Sequence, residues 1–472
     1  MRIFGFAQER TARPADDKTT TNPYIVLDIL IRILQLLLSL TILVTIHELG
    51  HYLAAKAFGA RVDKFYIFFN PRFSLFKKKI GETEYGIGWL PLGGYCKIAG
   101  MVDESMDTEA LKSEPQPWEY RSKPAWQRLI IIVAGVVMNV LLAWFIYSMM
   151  TYKYGETYIA TRDVKDGIAI TDSTLASTIG LRPGDRIVSI DGKEYENFFD
   201  TYSAVLLGSQ LTVQRQGRDT TLTIPVDFID TFKDYNSPYF YYPRVPMIVA
   251  AVPDSSINAH CGLRPGDRIV SVSGTPVPFF DQAKEVLRSH SSGEVLLEVH
   301  RADTTLFLGA KVSPQGLLGI INDLSPQTLI RQEILPVTEK QYGFFAALGR
   351  GVGVTGEKIA NYWAQVKKLV NPESGAYKSV GSVITMGSLF PPVWDWTAFW
   401  QLTAFLSIML AVINILPIPA LDGGHAVFIL YEMITRRQPS EKVLEWAQMV
   451  GFVILILIMV LAFGNDILRL FQ

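Results

Sequence analysis

Ile46-His47-Glu48-Leu49-Gly50-His51 closes an apolar run that begins near Tyr24. On an α-helix His47 and His51 stand four residues apart on one face, so both imidazoles can reach a single metal ion. Glu48 lies beside them, placed to take a proton from an attacking water. Ionisable groups are expensive in lipid, so three of them on an apolar helix mark a functional site.

Outward from this motif the chain has 472 residues, 49% of them hydrophobic, and a net charge of −1. That length exceeds one ordinary domain, and the near-neutral charge argues against a nucleic-acid partner. Apolar stretches of spanning length occur near 24–47, 125–150, 398–421 and 443–463. The expected fold is a polytopic α-helical membrane protein with four transmembrane helices and β-rich domains between them. The division reads as a polar N-terminal tail (1–23), a first transmembrane helix carrying the motif (24–58) and a cytoplasmic-side β-loop region (59–124). A second transmembrane helix (125–150), two β-rich domains (153–235 and 236–325) and an amphipathic interfacial segment (326–397) follow. A third transmembrane segment (398–425) and a fourth (443–463) complete it. The tail lacks the apolar core of a cleavable leader.

Asp28 and Arg32 suit a helix end at an interface, and His47 lies about 28 Å of helix further on, near the opposite face. The segment 59–124 is rich in Lys and Arg, and Arg436 and Arg437 follow the third apolar stretch. Both connections are therefore expected in the cytoplasm, with 151–397 and the termini outside. Cys96 and Cys261 then lie on opposite sides and read as inert thiols.

A catalytic zinc usually has three protein ligands. Asn414-Ile-Leu-Pro417-Ile-Pro419-Ala-Leu-Asp422-Gly423-Gly424-His425 offers the third. Its two prolines break the helix inside the membrane. Asp422 follows the break and is the expected ligand; capping of the next helix is its alternative use. His425 is a competing ligand. Asn139, in the middle of the second span, and Asn414 read either as interhelical hydrogen bonders or as groups that position substrate or water.

Taken together, His47-Glu48-Leu49-Gly50-His51 and the run from Asn414 to Gly423 resemble the site-2 protease family of intramembrane zinc proteases, and the layout is similar to the bacterial members with tandem PDZ domains. The resemblance implies His47, His51 and Asp422 as zinc ligands and Glu48 as general base. It departs where members often carry Gly-Pro: here Gly135-Val136 and Gly381-Ser382. N/O ligation and hydrolysis make zinc the expected cofactor.

Gly180-Leu-Arg-Pro-Gly-Asp-Arg-Ile-Val-Ser-Ile-Asp-Gly192 recurs as Gly262-Leu-Arg-Pro-Gly-Asp-Arg-Ile-Val-Ser-Val-Ser-Gly274. Turn and strand signals make both copies β-rich, and they resemble the PDZ domains of bacterial envelope proteases. PDZ domains take a peptide or C-terminus as an added strand. A steric gate that admits only trimmed substrates is the rival use. Residues 341–370 are amphipathic, and Trp394, Trp396 and Trp400 read as an interfacial belt.

A helical substrate hides its carbonyls, so an exposed strand edge is wanted to hold the unwound chain. Glycine in a strand often marks close approach of another backbone, so that edge is expected at Gly86, Ile87, Gly88 and Trp89; a cytoplasmic hairpin that braces the helices is the alternative reading. The resemblance implies an intramembrane endoprotease in the bacterial inner membrane, with its active site near the cytoplasmic side and its PDZ copies in the periplasm. Its partners would be membrane lipid and a single-span substrate, such as an anti-sigma factor or remnant signal peptide; a monomer is expected. A PDZ scaffold with a degenerate site and a metal transporter are the rival classes.

Overall fold

The computed structural model describes residues 23–91, 93–101, 114–233, 239–322 and 334–470. The expected tail, Pro23 apart, lies outside these residues. Helix α1 runs Pro23–Ala57 and α2 runs Ala125–Tyr154. Between them β1 (Val62–Tyr66), β2 (Phe69–Ile80), β3 (Thr83–Leu90) and β4 (Tyr95–Ile98) form a sheet in the order β2-β3-β1-β4. β1 and β3 are parallel and the other neighbours antiparallel. Tyr52 of α1 and Tyr85 of β3 join hydroxyls at 2.6 Å, which ties the sheet to the helix.

The first repeat domain contains β5 (Glu156–Ile159), β6 (Ile168–Ile170), α3 (Ser173–Thr178), β7 (Arg186–Ile190), α4 (Asp200–Leu207), β8 (Gln210–Arg215), β9 (Arg218–Thr223), α5 (Phe228–Lys233) and β10 (Tyr241–Pro243). The second contains β11 (Met247–Ile248), β12 (Arg268–Val272), β13 (Thr275–Pro276), α6 (Phe280–Ser289), β14 (Glu294–Arg301) and β15 (Thr304–Lys311). The expected boundary at 235/236 is corrected. β10 pairs with β6, and Phe240, Tyr241 and Tyr242 are buried in the first core with Phe198 and Phe228. The aromatic run Tyr239-Phe-Tyr-Tyr242 needs more apolar cover than a linker can supply, so the first domain extends through Pro243.

The repeated motif is a turn locked by charge. In the first copy Arg215 Nε and Nη2 each lie 2.7 Å from Asp185, and Nη2 also donates to Gly180 O at 2.8 Å. Arg301, Asp267 and Gly262 repeat the arrangement at 2.7, 2.8 and 2.7 Å. Both aspartates are buried. The shared residues thus build the turn, with an arginine from a neighbouring strand as its clamp.

Beyond these domains, β16 (Val337–Lys340) returns to pair with β5, and α7 (Phe344–Val370), α8 (Val383–Leu389), α9 (Trp396–Asn414), α10 (Asp422–Thr435) and α11 (Glu441–Leu470) follow. Asp395 caps α9, its Oδ1 accepting from the N–H groups of Thr397 and Ala398 at 2.7 and 3.2 Å. The third apolar stretch, expected over 398–425 with a break at its prolines, is two helices. α9 stops at Asn414, because the prolines deny its continuation amide donors, and α10 starts at Asp422. Among the described residues, four helices, over Val26–Ala57, Ala125–Tyr154, Trp396–Asn414 and Lys442–Leu468, are long and apolar enough to cross a membrane. α2 is the centre of the bundle, packing against α1, α7, α9 and α10.

Candidate metal centre

The site begins where α1 and α2 cross. The crossing is close because two glycines meet backbone and imidazole. A Cβ on Gly50 would lie 2.4 Å from Ala134 O, and one on Gly135 would lie 2.5 Å from His51 Nε2 and 2.7 Å from His47 Cε1. Only hydrogen fits at these positions. One turn to either side of Gly135 stand the groups that orient the rings. His51 Nδ1 donates to Ile131 O at 2.8 Å, and His47 Nδ1 meets the Asn139 amide at 3.1 Å. Ile131, Gly135 and Asn139 share one face of α2 at four-residue spacing.

α10 supplies the third group. Between α9 and α10 the chain turns back so tightly that a Cβ on Gly423 would lie 2.3 Å from Leu416 O. Ala420 takes the left-handed conformation, φ 82°, within this turn. Asp422 is the first residue of α10 but makes no cap; its Oδ2 lies 3.1 Å from His47 Nε2 and 3.5 Å from His51 Nε2. Arg128 of α2 pairs with Glu432 of α10 at 2.5 Å and holds the two helices together.

The donor set fits a zinc ion. His47, His51 and Asp422 each turn one ligand atom inward, all within 4.8 Å of one another. Asp422 Oδ2 is buried and has no aligned donor among the described residues, despite its short distances to both rings. Three electron pairs aimed at one point suit a cation better than they suit each other. His51 is set for this, since its Nδ1–H bond to Ile131 O leaves Nε2 as a lone pair. His47 requires the same tautomer, so Asn139 must offer its oxygen to Nδ1–H. Asn139 Oδ1 is the buried amide atom without a partner, and turning the amide over satisfies the pair.

The remaining expected residues are distributed around this group. Asn414, at the end of α9, brings Nδ2 to 3.4 Å from His47 Nε2. His425 is not a member of the three-residue group. Burial pushes the Cys96 thiol on β4 well above its ordinary value, and the Glu48 carboxylate adds to the shift. Gly86, Ile87, Gly88 and Trp89 lie on β3, where Gly86 stands between Tyr66 of β1 and Lys77 of β2, while Ile87 pairs with Phe76 and Gly88 with Ser74 of β2, beyond the end of the β1 register. Trp89 stacks on Phe73 and donates to Pro71 O at 2.9 Å. The glycines do mark close approach, but of the chain's own Phe68 and Phe69 backbone to Gly88. The outer strands of the sheet are β2 and β4. Sequence reasoning missed Ile131, whose role is a main-chain carbonyl, and the role of Gly135. A small residue one turn before a mid-span asparagine was the available signal for Gly135.

Comparison with known proteins agrees with this chemistry. The model of peptidase family M50 matches residues 35–458. A Vibrio cholerae protein named as a zinc metalloprotease is 28% identical, covering 94% of this chain and all of the relative. The regulator of sigma-E protease RseP of Salmonella typhimurium is 28% identical with the same coverage, and that of Escherichia coli is 28% identical over 92% of this chain and 98% of its own length. Two histidines on a helix of spanning length, an aspartate converging on them, and a family match over most of the chain lead to one conclusion: this protein belongs to peptidase family M50 and is a zinc metalloprotease.

Proposed function

We propose that the protein is an intramembrane endoprotease that cuts single-span membrane proteins within or near the bilayer, in the bacterial inner membrane. His47 Nε2, His51 Nε2 and Asp422 Oδ2 would hold the zinc. The bound ion supplies Lewis acidity for the scissile carbonyl and for the attacking water. Glu48 takes the proton of that water as its oxygen bonds to the carbonyl carbon. It then passes the proton to the amide nitrogen as the C–N bond breaks. Asn139 holds the His47 ring by its Nδ1–H, and Asn414 faces the peptide carbonyl. The convergence of two imidazoles and one carboxylate at the ends of apolar helices carries this reading.

The substrate lies extended along the four-stranded sheet, at Gly86, Ile87, Gly88 and Trp89 of β3. The two repeated domains, read as PDZ modules on the periplasmic side, gate the site or hold a peptide C-terminus. An anti-sigma factor already clipped outside, or a remnant signal peptide, has the required shape, and the enzyme acts as a monomer with its site towards the cytoplasm. The test uses purified protein and a single-span reporter in detergent. Glu48→Gln should keep zinc and lose cleavage by at least a hundredfold, and Asp422→Asn should lose both. Cleavage at the wild-type rate by Glu48→Gln would discard the mechanism.

A further inference from the structure

A second recess lies at the opposite end of the bundle from the metal group. It is a cavity of about 380 Å³ between α2, α7 and α9. Thr151 in its wall is 12 residues beyond Asn139 on α2, about 18 Å along the helix. Its apolar surface comes from Met150, Val354, Leu402 and Phe405, and its polar rim includes Gln401 and Lys358. Glu156, also at the rim, is already matched: Arg350 Nε lies 2.7 Å away and the Tyr342 hydroxyl donates at 2.9 Å. Lys358 is the one cation among the lining residues.

The surroundings say what kind of molecule reaches this recess. Two of its walls are helices of spanning length, and the third, α7, exposes Phe345 and Val352 from an amphipathic sequence. Trp396 and Trp400, both exposed, stand in the first turns of α9 beside the lining residues Thr397 and Gln401. An aromatic cluster at the end of an apolar helix marks the bilayer–water boundary. A cavity at that depth meets lipid before any dissolved metabolite. A soluble ligand would also want several convergent polar groups, whereas this wall is largely aliphatic and aromatic with a single ammonium at its rim.

We propose that the cavity binds one acyl chain of a membrane phospholipid, with the lipid phosphate at Lys358, and that the lipid ties α7 to α2 and α9. The test is native mass spectrometry of the full chain, released from micelles doped with phosphatidylethanolamine and phosphatidylglycerol. The wild type should retain one phospholipid per chain. Val354→Trp and Met150→Phe, which fill the cavity, should lower retention at least tenfold with zinc content unchanged, and Lys358→Gln should lower it several-fold. Absence of lipid from the wild type, or equal retention by both filling variants, would overturn the proposal. So would undiminished lipid with a raised KM for a single-span reporter, which would assign the cavity to the substrate.

Discussion

Gly135 and His51 are related by a missing methyl group: a Cβ on Gly135 would stand 2.5 Å from the Nε2 that faces the metal position. Gly135→Ala should therefore displace an imidazole while improving the intrinsic helix propensity of α2 by up to about 1 kcal/mol. The expected result is a helical, membrane-inserted protein whose zinc content, measured by atomic emission, falls at least tenfold. Full zinc occupancy would show that α1 and α2 can separate at no cost and that the close approach is incidental.

Asn139 acts through His47. Asn139→Leu removes the acceptor for Nδ1–H and should weaken zinc binding by about 10- to 100-fold, the usual cost of losing such an outer hydrogen bond. Asn139→Asp retains an acceptor and should stay within a few-fold of wild type. Chelator competition at fixed pH measures both. Equal affinities for the Leu and Asp variants would reduce Asn139 to interhelical packing.

Arg128 and Glu432 fasten α2 to the helix that begins with Asp422. Both side chains are largely shielded, at 12% and 15% exposure. Arg128→Ala leaves the carboxylate uncompensated and should cost towards the lower end of about 3–5 kcal/mol, less at a partly wet site. Thermal unfolding in detergent should register the loss. The Arg128→Ala/Glu432→Gln double variant should recover much of it, and failure to recover would show that the pair does not fasten the helices.

Removal of 153–325 would take β5 away from β16 and break a strand pair, so it is a poor test of gating. Replacing only the second repeat domain, 247–322, with a flexible linker keeps the buried residues of the first core in place. Substrates with folded outer portions should then be cut at rates approaching those of trimmed ones. An unchanged size limit would rule out a gate formed by that domain and leave the chemistry untouched.

Asp267 gives the second repeat domain a pH dependence. Burial works to raise its carboxyl, but Arg301 and the Arg264 N–H outweigh burial and hold it below the ordinary value. A folded-state value lower than the unfolded one contributes stability that is full above the unfolded value and is lost as pH falls through the folded one. Hydrogen exchange around 262–272 should therefore quicken below about pH 4, where free aspartate titrates. Arg301→Gln should move that onset upward. Exchange that ignores pH between 5 and 2 would contradict this.

Much of this molecule is legible in one dimension. The apolar runs, the His47-Glu48-x-x-His51 spacing, the proline break before Asp422 and the repeated Gly-Leu-Arg-Pro-Gly-Asp turn all rest on local chemistry: helix period, lost amide donors and the conformational demands of turns. What the linear chain could not decide was pairing. β3 runs beside β1 only as far as Gly86 and pairs with β2 on its other side, an order that depends on contacts between distant residues. Likewise β10 joined the first repeat domain because its aromatic residues needed that core, past a boundary that the repeat spacing put at 235. The orientation of the metal-facing rings rests on a main-chain carbonyl at Ile131, an amide at Asn139 and an absent side chain at Gly135. Carbonyl direction and empty space have no letter in a sequence; they exist only once two helices have crossed.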